Sequence, residues 1–315
     1  MAQTVLKATR ESFGEALCEL AKDNKDIVVF DADLAAATKT GVFKKAYPDR
    51  FFDCGIAEGN MMGVAAGMAA AGKIPVAASF AMFATGRAFE QIRNSIAYPR
   101  LNVKIAGSHA GISTGEDGAT HQCIEDIAIM RAIPNMVVLN PADHWEMKAA
   151  TKAAIEYDGP VYIRLGRLAI DSFNAPETYS FELGKGITLH EGNDVAVIAT
   201  GLVVNEARKA VQELEAEGIS ARLINIHTIK PIDRDIIIKA AKETGRIITV
   251  EEHNVVGGLA DAVCEVVTAE CPVKVTRIGV QDEFGHSGPA WELLDEFKLT
   301  QPHIANVIRE VVKEK

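Results

Sequence analysis

The segment GSHAGISTGEDGATHQC, residues 107–123, contains four glycines, two histidines and an acidic pair. It lies between an apolar, β-rich run at 103–106 and a helical pattern at 124–133. A loop of this length inside an α/β domain is uncommon and is usually functional. Open α/β sheets bind ligands outside the carboxyl ends of their strands, which is where this segment begins. We therefore expect this glycine-rich segment to line a binding site in an α/β fold.

The same alternation of short apolar runs with longer helical patterns extends in both directions from this segment. Such alternation predicts an α/β fold with mostly parallel sheets flanked by helices. The predicted strands are 27–30, 51–52, 75–78, 103–106, 136–139, 161–165, 195–199, 221–226, 247–250 and 273–278. The predicted helices are 12–22, 59–71, 87–97, 124–133, 143–157, 203–217, 233–242, 259–270, 290–297 and 304–313.

One irregular stretch, 169–192, separates two sets of alternating elements. Gly184, Gly186 and Gly192 interrupt any periodic pattern there, as expected of a linker. We predict a first α/β domain at residues 1–170, a linker at 171–192 and a second α/β domain at 193–315.

Composition excludes several classes of function. Lys plus Arg number 33 against 43 for Asp plus Glu, a net charge of −10, which argues against a nucleic-acid binder because that function needs basic surface. The longest apolar run, 61–72, is shorter than the roughly 20 residues that span a bilayer, so no membrane association is expected. The five cysteines form no CxxC pair, which indicates reduced thiols and a cytoplasmic protein.

Glu58 opens the predicted helix within CGIAEGNMMGVAAGMAAAG, residues 54–72. An acid in the first turn is explained by the helix dipole alone. A carboxyl group in apolar surroundings instead has a raised pKa and can exchange a proton with a ligand. The small residues that follow allow another backbone to come close, either at an interface or in a tightly packed core.

His109 and His121 lie on the glycine-rich segment, with Glu116 and Asp117 near the second. One loop histidine is ordinarily solvated, but two on one such loop favour a site that binds substrate oxygens or moves protons. Cys/His spacing and an HExxH motif are both missing, so we predict no metal ligands.

Four further residues have both an ordinary and a functional interpretation. Phe80 and Phe83 follow a strand and either pack in the core or form a wall against a flat ring. Arg10 and Arg167 are either solvated charges or contacts for phosphate, which arginine binds in a bidentate manner. The chain has no GxGxxG motif and no Walker loop, and no GDG followed by an Asn that would hold a diphosphate and magnesium.

Taken together, these segments resemble the C-terminal half of transketolase. The signature around GEDGxTHQ in residues 107–143 is highly specific, and the segment that carries Glu58 is similar to the one that bears the family's catalytic glutamate. The other matching segments are ATRESFGEAL at 8–17, DADL at 31–34, SFAMF at 79–83 and YIRLGR at 162–167.

The resemblance implies a pyrimidine-binding domain followed by the transketolase C-terminal domain, with thiamine diphosphate as the cofactor. The diphosphate-binding N-terminal half would be a separate chain that also holds Mg²⁺ or Ca²⁺. The resemblance thus implies the C-terminal subunit of a split transketolase, in a heterotetramer of two copies of each chain. The enzyme would transfer a two-carbon ketol unit between ketose and aldose phosphates in pentose phosphate metabolism.

Roles for individual residues also follow from the resemblance. Glu58 would hydrogen-bond the aminopyrimidine ring nitrogen, and both Glu58 and His121 would be catalytic. The other cofactor contacts would be Phe80, Phe83, Ile56 and Asp33. Substrate hydroxyls would be held by Asp117 and His121, and the sugar phosphate by Arg10, His109 and Arg167.

The chain departs from the family pattern at two positions. Ala37 stands where a phosphate-contacting Ser is common, and Gly86 where a third aromatic often closes the pyrimidine pocket. Related thiamine diphosphate enzymes share this domain pair, namely deoxyxylulose-phosphate synthase and the beta subunit of 2-oxo-acid dehydrogenases. These enzymes are one alternative, and a non-catalytic partner chain is another.

Overall fold

The computed structural model describes residues 5–175 and 179–314, so residues 176–178 of the predicted linker lie outside the described residues. Within the described ranges, strands β1–β14 are Leu6–Ala8, Ile27–Asp31, Phe51–Asp53, Ile74–Phe80, Lys104–Ser108, Val137–Leu139, Val161–Arg164, Ala169–Asp171, Ile187–His190, Val195–Ala199, Ala221–Asn225, Thr228–Lys230, Arg246–Asn254 and Lys274–Val280. Helices α1–α12 are Thr9–Asp23, Ala35–Thr38, Gly41–Ala46, Glu58–Ala70, Phe89–Gln91, Asp126–Ala132, His144–Glu156, Val203–Glu215, Arg234–Thr244, Leu259–Glu270, Ala290–Glu296 and Gln301–Lys313.

The first sheet has seven strands in the order β12-β6-β7-β5-β4-β2-β3. All neighbours are parallel except β12, which pairs antiparallel with β6. Asp31 lies opposite Asp53, and Phe80 lies opposite Ser108, so these strands end at the same edge of the sheet. The loops after β2, β3, β4, β5 and β7 therefore leave the sheet side by side.

The second sheet has five strands in the order β14-β13-β10-β11-β9, and only β9 runs antiparallel to its neighbour. Strand β9 lies inside the stretch predicted as an irregular linker, because the glycines around it hide its short apolar pattern. Strands β1 and β8 pair antiparallel as a separate ribbon.

One cluster of buried apolar side chains spans both halves of the chain. Strand β12 belongs to the second half but adds to the first sheet, and Ile229 on it packs in one cluster with Val138, Ile198 and Leu259. The predicted α/β fold with mostly parallel sheets is confirmed. The division into residues 1–170, 171–192 and 193–315 stays a prediction.

Helix α4 has one buried face and one open face. Met61, Met62 and Ala65 are buried, whereas Val64 is exposed and a Cβ added at Gly63 or Gly67 would meet nothing within 4 Å. The small residues are thus partly in the core and partly on an exposed surface.

The predicted helix at 87–97 forms instead as a short α-helix between two π-helical segments, Met82–Arg87 and Ile92–Ala97. Such π-helical turns occur frequently at functional sites. Across the described parts of the chain, no helix is long and apolar enough to cross a membrane. All five cysteines are unpaired.

Candidate functional site

Four rings meet at the carboxyl ends of β4 and β5. Phe80 stacks on Phe83 with ring centroids 6.1 Å apart, and on His109 with centroids 4.0 Å apart. His121 meets both phenyl rings edge-on, at 6.0 Å from Phe80 and 5.2 Å from Phe83. The two predicted histidines and the two predicted phenylalanines therefore form one contact group, which we call the ring cluster.

Glu58 lies at the edge of this cluster, at the N-terminus of α4. Its side chain is 1% exposed, and its Oε2 accepts a hydrogen bond from Arg87 Nη1 at 3.0 Å. The Arg87 guanidinium, whose side chain is 53% exposed, also lies 4.6 Å from the centroid of the Phe83 ring. A buried carboxylate and an aromatic face are thus bridged by one planar cation.

On the other side of the ring cluster, Arg10 Nη1 lies 3.2 Å from His109 Nε2 and donates to the Ala37 carbonyl at 2.8 Å. Because an arginine only donates, Nε2 of His109 accepts, and its Nδ1–H donates to Ser108 Oγ at 2.9 Å. The buried Nε of Arg10 has no hydrogen-bond partner among the described residues. An unpaired guanidinium N–H in this position suits an oxyanion.

The pKa of His109 reflects its burial and the positive charge around it. Burial, followed by the charges of Arg10 and Arg167, lowers the pKa of His109 to about 3, with smaller effects from His121 and Lys39. His109 is therefore neutral at physiological pH. Arg10, Lys39 and Arg167, which we call the cation cluster, supply the charge.

Arg167 already has hydrogen-bond partners within the chain. Its Nη1 donates to Glu116 Oε2 at 2.7 Å and also to the Thr114 carbonyl. Its side chain is 35% exposed and that of Glu116 is more exposed still. An anion that binds Arg167 would therefore compete with Glu116.

The glycine-rich segment is folded tightly rather than left open. Residues Ile112–Asp117 form 3₁₀ turns that are interrupted by a kink at Gly115, and Gly111 and Gly118 have φ angles of 84° and 75°. A Cβ added at Gly111 would lie 2.4 Å from the Glu252 carboxylate, and one added at Gly118 would lie 2.5 Å from Ser287 Oγ. Side chains at these two positions would push the segment away from the second half of the chain.

The second half also holds this segment through hydrogen bonds. Glu252 accepts from the Ser113 backbone N–H at 2.6 Å, and the Gln122 amide donates to the His286 carbonyl at 2.9 Å. Arg164, which donates to the carbonyl of Cys123 at the end of this segment, forms a buried ion pair with Asp126 at 2.7 Å. Burial alone would raise the pKa of Asp126, but the charge and hydrogen bonds of Arg164 lower it.

Three predicted site residues lie outside these contacts. Asp33 and Asp117 are exposed, and the side chain of Ile56 is 77% exposed. The Asp33 N–H donates to Asp53 Oδ1 at 3.1 Å, and none of the three makes a hydrogen bond or ring contact to the ring cluster among the described residues.

Four further residues near the site were not predicted from the sequence: Arg87, Lys39, Gln122 and Glu252. Arg87 follows Phe83 by four positions, a spacing that brings side chains together on a helix and could have indicated the contact. Glu252 lies far from the glycine-rich segment in sequence, so no local signal reveals it. Among the described residues, no group of three or more His, Cys, Asp or Glu side chains could hold a metal ion.

Comparison with known proteins places the chain in a family. The sequence profile described as the transketolase pyrimidine binding domain matches residues 6–171, and that of the transketolase C-terminal domain matches residues 184–304. The chain belongs to the transketolase family. It corresponds to the C-terminal section of transketolase, which confirms the prediction based on the glycine-rich segment and on the segment around Glu58.

Three relatives agree with this assignment. A protein of Methanocaldococcus jannaschii, provisionally named transketolase C-terminal section, is 50% identical and covers 98% of each chain. A solved structure described as a split gene transketolase, inactive beta4 tetramer, is also 50% identical, with a TM-score of 0.91 over 98% of this chain and 99% of that one. A 6-deoxy-6-sulfo-D-fructose transketolase subunit of Clostridium sp. is 43% identical, and the match covers 97% of this chain and 95% of that subunit.

The transketolase family depends on thiamine diphosphate, so the predicted cofactor is confirmed at the level of the family. The placement of the metal on a partner chain stays a prediction.

Proposed function

We propose that this chain is the C-terminal subunit of a thiamine diphosphate-dependent transketolase that transfers a two-carbon ketol unit between ketose and aldose phosphates. One observation carries the proposal: a buried carboxylate, an aromatic wall and a cation cluster meet at the same edge of one mostly parallel sheet. The proposed setting is pentose phosphate metabolism in the cytoplasm, which is compatible with the five unpaired thiols.

The residues present fit the aminopyrimidine end of the cofactor. The space beside Phe83 accepts a flat, nitrogen-bearing group, because the Arg87 guanidinium lies there against the ring and donates to Glu58. We assign Phe80 and Phe83 to the aromatic wall, Glu58 to the ring nitrogen, and Ile56 and Asp33 to the rim of the pocket. Bound thiamine diphosphate supplies an acidic thiazolium carbon that can attack a ketose carbonyl once it is deprotonated.

Glu58 would be catalytic through its hydrogen bond to the ring nitrogen. A carboxylate with 1% exposure is shielded from water, so a proton held between it and a ring nitrogen is not shared with solvent. Excluding water here keeps the bond short and directional, and an amide in the same position could not hold this proton.

We assign His121 and Asp117 to the hydroxyls of the donor sugar. His121 Nδ1 pairs with Thr120 Oγ1 at 2.8 Å, so Nε2 is the nitrogen that we assign to substrate. A histidine in this position can donate to or accept from a hydroxyl near neutral pH.

Arg10, His109 and Arg167 are our candidates for the sugar phosphate. The unpaired Nε of Arg10 and the neighbouring charge of Arg167 favour a dianion, and neutral His109 fixes Arg10 through Nε2. Ala37 offers only its carbonyl, which Arg10 already uses, so one contact to phosphate is lost here. The relative named for a sulfonated sugar illustrates that acceptor and donor preference varies among these subunits.

The partner we propose is a chain that carries the diphosphate-binding domain and Mg²⁺ or Ca²⁺, in a heterotetramer with two copies of each. Support comes from Phe52 on β3, Val64 on α4 and Ile56 on the segment between them, which are all exposed apolar side chains. Large exposed apolar side chains in one region mark interaction surfaces. The relative described as an inactive beta4 tetramer suggests that such chains alone lack turnover.

The test is reconstitution of the two-chain enzyme. We expect this chain alone, with thiamine diphosphate, magnesium, xylulose 5-phosphate and ribose 5-phosphate, to give no ketol transfer, and addition of the partner chain to restore it. Full turnover without a second polypeptide would contradict the split arrangement.

The same assay separates the alternatives. If the reconstituted complex condenses pyruvate with glyceraldehyde 3-phosphate, the deoxyxylulose-phosphate synthase alternative holds. Oxidative decarboxylation of a 2-oxo acid would indicate the dehydrogenase alternative. A complex that binds cofactor but catalyses none of these reactions would favour a non-catalytic partner.

A further inference from the structure

Arg87 makes two contacts that together describe a ligand. Its guanidinium lies over the Phe83 ring at 4.6 Å, and its Nη1 donates to the buried Glu58 carboxylate at 3.0 Å. A planar group that stacks on an aromatic wall and donates an N–H to Glu58 reproduces both interactions assigned above to the cofactor's aminopyrimidine. Arg87 thus occupies a position that a ring ligand would need.

We propose that Arg87 is an internal substitute for the aminopyrimidine ring, which closes the cofactor pocket of the free chain and must leave before thiamine diphosphate binds. This inference rests on the proposed function, because it takes Phe83 and Glu58 as the cofactor's contacts. It adds a competing side chain that belongs to the same pocket.

The location of Arg87 allows it to move. The residue ends the π-helical segment Met82–Arg87, and 53% of its side chain faces solvent although its guanidinium reaches a fully buried carboxylate. Arg87 can therefore swing outward into water without breaking the apolar core.

The contact also benefits the free chain. A buried carboxylate with no partner is strongly destabilising, and the ion pair with Arg87 avoids that state before cofactor binds. Once bound, the cofactor would take over both the hydrogen bond to Glu58 and the contact with Phe83. The apparent affinity for thiamine diphosphate is weakened as a result, because only the fraction of molecules with Arg87 displaced can bind the cofactor.

The experiment measures cofactor affinity in the reconstituted two-chain complex by isothermal titration calorimetry. Arg87→Ala should bind thiamine diphosphate about five- to thirtyfold more tightly than the wild type, since both a half-exposed ion pair and a cation–π contact are removed. Arg87→Lys, which keeps the charge but not the planar group, should lie between the two. Arg93→Ala removes an exposed arginine six positions away that bonds Asn94, so it should bind like the wild type.

A second variant tests the same inference if Arg87→Ala does not fold. Arg87→Gln keeps a donor for Glu58 but removes the charge, so it should also bind more tightly than the wild type. Thermal unfolding of each complex establishes that the compared proteins are folded. In a Glu58→Gln background, Arg87→Ala should increase the affinity for thiamine diphosphate by a smaller factor, because the ion pair between Arg87 and Glu58 that competes with the cofactor is already gone.

The outcomes separate this inference from the proposed function. Unchanged or weaker cofactor binding in folded Arg87→Ala and Arg87→Gln complexes would overturn the substitute role while leaving the proposed function intact. Failure of the wild-type complex to bind thiamine diphosphate would overturn both.

Discussion

The Glu252 carboxylate on β13 accepts a hydrogen bond from the Ser113 backbone N–H at 2.6 Å, across 139 positions of the chain. Ser113 lies in the glycine-rich segment, between the two histidines assigned to substrate. Both partners are fully buried, and burial raises the pKa of Glu252, which the nearby charge of Arg164 partly offsets. The second half of the chain therefore fixes the shape of a segment whose proposed contacts lie in the first half.

Glu252 should act as a positioning residue. Glu252→Ala leaves the Ser113 N–H buried without an acceptor, at a cost of about 1–3 kcal/mol, so the segment should relax away from its active shape. We expect kcat of the reconstituted Glu252→Ala enzyme to fall about tenfold or more, with little change in cofactor affinity. Glu252→Gln keeps an acceptor oxygen for the Ser113 N–H, so this variant should retain most of the wild-type kcat.

Glu251 provides the matched control for this prediction. It is a buried neighbour on the same strand, but it accepts from the backbone N–H groups of Leu259 and Ala260 at the start of α10. Glu251→Ala should lower the free energy of unfolding comparably without lowering kcat of the folded enzyme. Equal losses of kcat in both variants would mean that Glu252 is only structural.

Substitutions of Arg167 and Glu116 should change KM for sugar phosphates in opposite directions. Arg167→Ala removes a charged contact and should raise KM for phosphorylated donors about tenfold while sparing an unphosphorylated donor. Glu116→Gln removes the competing carboxylate and should lower KM for phosphorylated donors by a smaller factor. Steady-state kinetics on both donor types provides the measurement, and equal effects on both would show that Arg167 does not bind phosphate.

The neutral state of His109 should make the chain less stable in acid. With its pKa at about 3 in the folded chain against 6.5 in the unfolded one, the unfolded chain binds a proton that the folded chain does not between these values. The free energy of unfolding should therefore fall as pH decreases from about 6.5 toward 3, by up to ~1.4 kcal/mol per pH unit.

His109→Asn tests this dependence with little strain. His109 has a φ of 55°, a left-handed conformation that Asn tolerates well. Urea unfolding between pH 7 and pH 4 should give a shallower pH slope for the variant, while other buried groups such as His227 and His253 contribute equally to both proteins. Identical slopes would show that the pKa of His109 is the same in the folded and the unfolded chain.

The sequence predicted the parts of the fold that carry long periodic patterns. The parallel strands of both sheets and helices such as α1, α4 and α8 lie close to their predicted positions. Strands β1 and β12 were missed, because each is defined by its antiparallel pairing with a strand far away in the sequence, β1 with β8 and β12 with β6.

The site was predictable where a local motif encodes it and not where tertiary contacts do. Phe80, Phe83, His109 and His121 follow strand ends in the sequence, and the sheet brings them together. Arg87 and Glu252 act through partners on other elements, and only the packing of those elements makes the contacts. The functional assignment of all these residues stays a prediction that mutation can test.

Glu58 is the residue on which the catalytic proposal depends most directly. Glu58→Gln keeps the shape and an oxygen that can accept from Arg87, but an amide cannot hold the ring-nitrogen proton. In the reconstituted complex, exchange of the thiazolium carbon's hydrogen with solvent deuterium should therefore fall about 10²- to 10⁴-fold, while cofactor affinity changes far less. Glu90→Gln, which alters an exposed acid, should exchange at the wild-type rate. If Glu58→Gln also exchanges at that rate, Glu58 is only an acid at the start of a helix, and the catalytic assignment fails.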